Sequence, residues 1–305
     1  ADKLARRPEG VEKSQVKKLG LLGAGMMGAG IAYVSAKAGM EVVLLDTSQE
    51  SAERGKAYSE GLLKKAIERG YSTPDKAAAL LGLIKPTTSY HDLQGCDLVI
   101  EAVFESVEIK ADVTAKTEAV VPETCIFASN TSTLPITGLA RASERPEQFI
   151  GLHFFSPVDK IPRVEIILGE KTNDEAIARS LDYIQQIRKT PIVVNDSRGF
   201  YTSRVFSTFT AEGITMLAEG VKPALIENAA KMAGMPVGPL AVTDEVTLEL
   251  AYKIGKETAA ALGREFPADL SQEVIQKMVE TLDRKGKRFG KGFYEYPKDG
   301  KKHLW

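Results

Sequence analysis

The chain holds few residues of the most reactive kinds: two cysteines, three histidines and one tryptophan in 305 residues. Two thiols, Cys96 and Cys125, cannot build the disulfide framework on which small secreted domains depend, and a chain of this length has no need of one. A reducing compartment is expected, the bacterial cytoplasm first and the mitochondrial matrix second. Both cysteines lie in apolar stretches that read as buried strands, and no metal site is read from the chain. A charge excess is also missing: 40 Lys and Arg face 41 Asp and Glu, for a formal net charge of -1. That balance gives no support to a nonspecific hold on nucleic acid, so an anionic ligand has to meet locally placed charges. No apolar run approaches the ~20 residues of a membrane helix. The polar start, Ala1 to Lys18, lacks the apolar centre of a secretory signal. There is no internal repeat and no low-complexity tract.

What is present is a 43% hydrophobic chain, long enough for two domains of ~100–200 residues each. It opens on Ala and not Met, and residues 1–15 are charged, which reads as a linker or N-terminal arm of a processed or excised piece. From Val16 short apolar runs alternate with amphipathic stretches, the pattern of βαβ units on a parallel sheet. The strand candidates are 17–23, 41–46, 97–103, 125–130, 149–155, 164–168 and 191–195. Ile177, Leu181, Ile184 and Ile187 fall at helical spacing behind the cap-like Thr172-Asn173-Asp174. Past Asp196-Ser197-Arg198-Gly199 helix-period text runs to about Arg284, broken by Gly220, Pro223, Gly234 and Pro236 into short helices that pack as a bundle. The expected architecture is an α/β Rossmann-type doubly wound domain over residues 16–197, followed by an all-α domain over 198–305.

Gly23-Ala24-Gly25-Met26-Met27-Gly28 fits GxGxxG directly after an apolar strand and opens a helix-like stretch. Glycine is needed at Gly23 for the tight turn, at Gly25 for approach to a pyrophosphate, and at Gly28 for close helix–strand packing. The helix N-terminus then offers its partial positive charge to the phosphates. Asp46 ends the second strand about 20 residues on, where a carboxylate accepts the adenosine ribose hydroxyls and repels a 2′-phosphate, favouring NAD over NADP. Alone, the motif is often a glycine-containing turn, and Asp46 could equally cap the helix ahead of Thr47-Ser48-Gln49-Glu50.

Among the histidines, His91 and His303 fall in polar stretches, while His153 sits at the carboxyl end of an apolar strand, where doubly wound sheets bind ligands. Glu165, twelve residues on, is a glutamate inside an apolar run. If the two strands are neighbours, Glu165 accepts the Nδ1 proton of His153 and leaves Nε2 as a general base. The plainer readings are a satisfied core histidine and a buried salt bridge from Glu165 to Arg163 or Lys160. Ser129-Asn130-Thr131-Ser132-Thr133 follows another strand and offers hydroxyls to a substrate oxygen, or only turn and cap chemistry. Alcohol oxidation by NAD needs such a base and such an oxygen holder.

With GAGMMGAGIA, EAVFE, ASNTS and GLHFFSP in this order and spacing, the chain resembles the 3-hydroxyacyl-CoA dehydrogenase family from about Lys18 to Tyr296. GFYTSR at 199–204, MPVGPLAVTDEV at 235–246 and GKGFYEY at 290–296 extend the likeness. The resemblance implies His153 as catalytic base, Glu165 as the residue orienting it, and Ser132 as a contact of the 3-oxygen near the nicotinamide. It also implies that Ser156 contacts nicotinamide and that Met27, Val103, Phe104, Glu105 and Lys110 line the cofactor cleft. Stand-alone members carry asparagine in GFxxNR, where this chain has Ser203, implying a substrate contact with a shorter side chain. That departure, with HFFSPVDK, looks more like the multifunctional β-oxidation enzymes, in which a hydratase domain precedes the dehydrogenase and a second helical domain follows. The implied activity is NAD-dependent oxidation of a 3-hydroxyacyl-CoA, with an accessory NAD-binding module of low turnover as the alternative. Hydratase and second helical domains of a parent chain are the expected partners, and a homodimer through the helical domain is also open.

Overall fold

Alternating buried apolar runs and amphipathic segments assemble into a wound sheet in the computed structural model, which describes residues 6–305. The first part of the expected linker, residues 1–5, lies outside the described residues. Eight strands form one sheet: β1 (Lys18–Leu22), β2 (Glu41–Leu45), β3 (Ile84–Thr87), β4 (Leu98–Glu101), β5 (Ile126–Ser129), β6 (Phe149–Phe154), β7 (Arg163–Leu168) and β8 (Thr190–Asn195). Their order is β3-β2-β1-β4-β5-β6-β7-β8. The order reverses between β1 and β4, which opens a crevice at the carboxyl ends of those strands, the usual ligand position in such sheets.

Both faces are covered, so the central strands are apolar throughout. Leu19, Leu21, Val42, Leu44 and Ile100 pack on one side with Ile31 and Ala32 of α1 (Met26–Lys37), Leu63 of α2 (Gln49–Glu68), Ala77 of α3 (Pro74–Gly82) and Leu181 of a later helix. Leu22, Val43, Val99, Phe127 and Phe149 pack on the other side with Val113 of α4 (Val107–Glu118) and Ile136 and Leu139 of α5 (Ile136–Leu139). The expected helix over 177–187 is α6 (Asp174–Gln186), capped by the Asn173 side chain on the Ala176 N–H. Cys96 and Cys125 are buried but stand just ahead of β4 and β5 and not inside them, and burial pushes both thiols up to about 12.

Two features depart from the sequence reading. β3 was not among the strand candidates, because only Ile84 and Thr87 of its four residues are buried and Pro86 lacks a donor. Such a segment fits only an edge strand. The sheet is also not wholly parallel, since β6 and β7 pair antiparallel and β8 follows β7 in parallel. Only residues 155–162 join β6 to β7, and a parallel crossover needs about a dozen residues or more.

The described part of the N-terminal arm is folded onto α6. Arg7 donates to both oxygens of Asp182 at 2.9 and 3.0 Å, the Ser14 N–H and hydroxyl donate to Asp182, and Val16 exchanges backbone hydrogen bonds with the Gln186 amide.

The chain divides into two compact units, Ala1–Thr202 and Ser203–Trp305. The second consists of α7 (Thr202–Ala218, entered from the first unit), α8 (Pro223–Met232), α9 (Pro239–Val246), α10 (Leu248–Ala261), α11 (Leu270–Gln276), a π-helical turn and the short hairpin β9 (Tyr294–Glu295) and β10 (His303–Leu304). Its core is built on Ile214, Ile226, Leu240, Leu248, Met278 and Phe293.

Candidate active site

At the carboxyl end of β1 the chain must turn sharply and then start a helix. Gly23 takes φ +91°, and a Cβ there would stand 2.6 Å from the Ala102 carbonyl oxygen. At Gly28 a Cβ would lie 1.8 Å from the Gly23 carbonyl oxygen, so only glycine lets α1 approach the turn this closely. Gly25 is different: a Cβ there meets nothing within 4 Å, and this residue is the N-cap of α1 with no side-chain cap on the first-turn donors. The open backbone and free donors fit an anion at this end of the helix. A cleft of about 310 Å³ adjoins it, lined by Ala24, Gly25, Met26, Asp46, Arg54 and Tyr58 among others.

Asp46 does not cap α2, whose first turn is capped by the Ser48 hydroxyl on the Ser51 N–H. One Asp46 oxygen accepts the Ala24 N–H at 2.7 Å, and the other accepts the Thr47 N–H and hydroxyl at 2.7 and 3.2 Å. A carboxylate has about four acceptor positions, so one remains for a hydroxyl in the cleft. Arg54, which sequence reasoning passed over, lines the same cleft but is held by Glu50 at 2.6 Å and by the Ser51 hydroxyl.

His153 and Glu165 are direct cross-strand partners in the β6–β7 pair. Their spacing of twelve, centred on the connecting turn, puts both on one face, where facing side chains touch. Nδ1 of His153 lies 2.7 Å from Oε2 of Glu165, and the glutamate is fully buried. Glu165 accepts three further hydrogen bonds, from the Tyr201 N–H at 3.1 Å, the Thr202 N–H at 2.8 Å and the Thr202 hydroxyl at 2.7 Å. Burial pushes the Glu165 carboxyl up, but the bonds from His153 and Thr202 outweigh it and hold the group below the ordinary glutamate range. Neither Arg163 nor Lys160 pairs with it among the described residues. The imidazole is flanked by Phe155 and Phe200, with ring centroids 4.5 and 5.9 Å away, and 10% of its side chain is exposed. A histidine whose Nδ1–H is fixed in this way has Nε2 free to accept a proton.

The loop after β5 stands beside this strand. Asn130 accepts the Phe154 N–H at 3.0 Å, tying the loop to the end of β6. Ser132 is exposed, while Thr131 is buried. Glu105 accepts from the Thr131 hydroxyl at 2.5 Å, the Thr133 hydroxyl at 3.1 Å and the Ser132 N–H at 3.3 Å. Lys110, expected at the cofactor cleft, reaches inward beneath this loop. Its side chain is 2% exposed, and its ammonium lies 2.8 Å from Glu101 and 3.3 Å from Glu105. Glu101, absent from the sequence candidates, closes β4 and also accepts the Ser129 hydroxyl and the Val103 N–H.

Ser156 joins the end of β6 to the glycine loop, its hydroxyl meeting the Met26 sulfur at 3.5 Å. Phe104 is 73% exposed, and Met27 and Val103 are half-buried. Ser203 belongs to the second unit, in the first turn of α7. His91 and His303 are exposed.

Residues 18–197 match the profile of the 3-hydroxyacyl-CoA dehydrogenase NAD binding domain, and residues 199–296 match that of the C-terminal domain of the same enzymes. The chain belongs to the 3-hydroxyacyl-CoA dehydrogenase family. It is thereby an NAD-dependent oxidoreductase in type, and the open backbone at Gly25 and the unfilled acceptor position of Asp46 suit that cofactor. The chain is 40% identical over 295 residues to the fatty acid oxidation complex subunit alpha of Shewanella baltica, covering 96% of this chain and 41% of that one. It thus spans about two-fifths of the length of that curated relative. Among solved structures, an (S)-3-hydroxybutyryl-CoA dehydrogenase from Ralstonia eutropha superposes with a TM-score of 0.85 at 34% identity, covering 93% of this chain and all of that one. A 3-hydroxybutyryl-CoA dehydrogenase from Escherichia coli gives 0.87 at 31% identity over 94% of this chain and 61% of that one. No helix among the described residues is long and apolar enough to cross a membrane.

Proposed function

We propose that this chain oxidises the 3-hydroxyl of a 3-hydroxyacyl-CoA to the ketone in fatty-acid β-oxidation, with His153 as general base. The observation that carries the reading is the 2.7 Å bond from His153 Nδ1 to a fully buried Glu165, at the mouth of a sheet of the NAD binding type. Three further donors hold Glu165 still, so the imidazole keeps one tautomer and presents Nε2 to the substrate hydroxyl. The Ser132 hydroxyl, exposed on its anchored loop, binds the 3-oxygen and places it against that nitrogen. NAD, when bound, supplies the hydride acceptor. Asp46 takes an adenosine ribose hydroxyl on its remaining lone pair and repels a 2′-phosphate; the Gly25 backbone and the start of α1 take the pyrophosphate; and Met27, Val103, Phe104 and Ser156 border the nicotinamide half.

The full substrate range belongs to a longer parent. In this reading a hydratase domain precedes and a second helical domain follows, as the multifunctional resemblance implies, and Ser203 contributes to substrate placement from α7. Alone, the chain pairs with a second copy through its helical unit. The compartment is the bacterial cytoplasm.

The test is direct: add 3-hydroxybutyryl-CoA and NAD to the purified chain and follow NADH absorbance. Formation of NADH from NAD, and no formation of NADPH from NADP, is expected. NAD binding with no turnover would identify an accessory module instead.

A further inference from the structure

The chain passes from β8 to α7 through a strained turn. Gly199 and Phe200 both take left-handed backbone, with φ +75° and +47°, and the Phe200 N–H closes the turn on the Ser197 carbonyl at 3.1 Å. Glycine adopts that region freely, but a residue as bulky as phenylalanine is rarely held there and pays in strain. The turn does two things at once. It buries Phe200 beside the His153 ring, with centroids 5.9 Å apart, and it aims the start of α7 at the Glu165 carboxylate.

The two Glu165 oxygens are used differently. Oε1 accepts the Tyr201 and Thr202 N–H groups at 3.1 and 2.8 Å, bonds that any residue but proline would give at those positions. Oε2 meets side chains: it lies 2.7 Å from His153 Nδ1 and accepts the Thr202 hydroxyl at 2.7 Å. A carboxylate oxygen has about two acceptor positions, so the imidazole and the hydroxyl share this oxygen between them. Against the upward push of burial, the largest single influence, the bonds from His153, the Thr202 N–H and the Thr202 hydroxyl together hold the carboxyl below the ordinary range. Ile192 stands across from Glu165 on β8, and Arg163, the nearest cation along β7, is exposed and does not pair with it. Among the described residues, His153 is the titratable group bonded to this carboxylate. GFxxNR leaves the place of Thr202 open, so the hydroxyl belongs to this chain and not to the pattern.

We infer that Thr202 is a positioning residue for the base: its hydroxyl takes the second acceptor position of Glu165 Oε2, steadies that oxygen against the His153 ring and limits how much of the carboxylate charge the ring receives. The inference rests on the role proposed for His153. A hydrogen bond to a charged group is roughly twice as strong as a neutral one, so deleting this one leaves the carboxylate with charge that falls mainly on the Nδ1–H. The ring then holds an added proton more firmly, and less of the base is ready at low pH.

The experiment compares Thr202→Val, Thr202→Ala and Thr202→Ser with the unaltered protein. Valine keeps the shape and the backbone N–H but lacks the hydroxyl; alanine lacks it in a smaller side chain, should the valine variant not fold; serine restores it. Three quantities are read: kcat/KM for 3-hydroxybutyryl-CoA against pH, the NAD Kd by titration, and the Nδ1–H proton resonance of the His153 ring, assigned by its loss in His153→Ala. Thr202→Val should move the acid limb of the kcat/KM profile up by about one pH unit. It should leave the NAD Kd unchanged and carry the Nδ1–H resonance downfield, as a stronger bond to the carboxylate demands. Thr202→Ser should return both toward the native values. A hydroxyl-free variant that loses kcat/KM equally at every pH, with the acid limb and the ring resonance where they were, would overturn the inference and leave Thr202 a structural residue of α7. Should the unaltered protein show no turnover, the proposed dehydrogenation fails by itself. The ring resonance still decides the role of Thr202: a downfield move without the hydroxyl, reversed by serine, upholds it, and an unmoved resonance overturns it.

Discussion

Glu165 in the first unit and Asp244 in the second are both fully buried carboxylates that staple together segments far apart in sequence. Asp244 accepts the Phe293 N–H at 2.8 Å, the Tyr294 N–H at 2.9 Å and the Tyr296 hydroxyl at 2.9 Å, holding the C-terminal GFYEY segment against α9. Gly292 has to be glycine beside it, because a Cβ there would lie 1.9 Å from an Asp244 oxygen. For both groups burial is the largest influence and pushes the carboxyl up, yet the outcomes are opposite. Glu165 has His153 and four donors in all and ends below the ordinary range. Asp244 has three neutral donors and ends above it. Burial of a carboxylate therefore does not mark a reactive centre. What sets Glu165 apart, and supports the role proposed for it, is an imidazole partner at the open end of the sheet, whereas the partners of Asp244 are backbone amides and a tyrosine.

The sharpest division should come from removing one partner in each cluster. His153→Ala is expected to lower kcat by ~10²–10⁴-fold with NAD binding nearly intact, since a general base contributes about that much. A loss below tenfold at neutral pH would reject the base. Asp244→Ala should instead cost roughly 3 kcal/mol of stability or more, because it orphans three buried donors. Denaturant midpoints measure this, and an Asp244→Ala variant as stable as the native chain would end the contrast. Glu165→Gln should lower kcat less than His153→Ala does, because the amide oxygen still accepts from Nδ1 while the charge is gone.

Stability against pH should separate the two clusters by sign. Glu165 is held below its ordinary value, so its contribution is complete above ~4.3 and disappears as pH falls through its own lower value. Asp244 is held above its ordinary value, so its cost is absent below ~3.9, grows as pH rises from there and is complete above the raised value. The stability lead of the native chain over Glu165→Gln should therefore shrink from about pH 7 to about pH 3, and its lead over Asp244→Asn should grow. Equal slopes in the two comparisons would show that the clusters do not differ in this way. The smallest effect concerns Ser203. One neutral hydrogen bond is worth ~0.5–1.5 kcal/mol, so Ser203→Asn should change kcat/KM by about tenfold at most. NAD affinity should not move. A gain of several hundredfold would mean that serine marks a degraded site.

The sequence by itself determined what depends on neighbours along the chain. Runs such as EVVLL and LVIE had to be buried strands; the glycines at 23, 25 and 28 had to be a turn, an open backbone and a close contact; and Asn173 had to start a helix. All of these answer to periodicity, chirality or steric space within a few residues. The facing of His153 and Glu165 was legible only on the condition that their strands are neighbours, and the antiparallel sense of β6 and β7 came from the structure. Tertiary structure alone decided the rest. Ile84 to Thr87 became a strand because β2 offered an edge, although its own residues argue weakly for one. Lys110, a charged residue within a helix sequence that suggests exposure, turned inward because Glu101 and Glu105 meet it from the end of β4 and the loop beyond. Thr202 completes the Glu165 cluster from 37 residues away, and Asp244 meets Phe293 and Tyr294 from 49 and 50. A buried charge is stable only where several donors converge on it, and which donors converge is set by how distant elements pack, which no local pattern encodes.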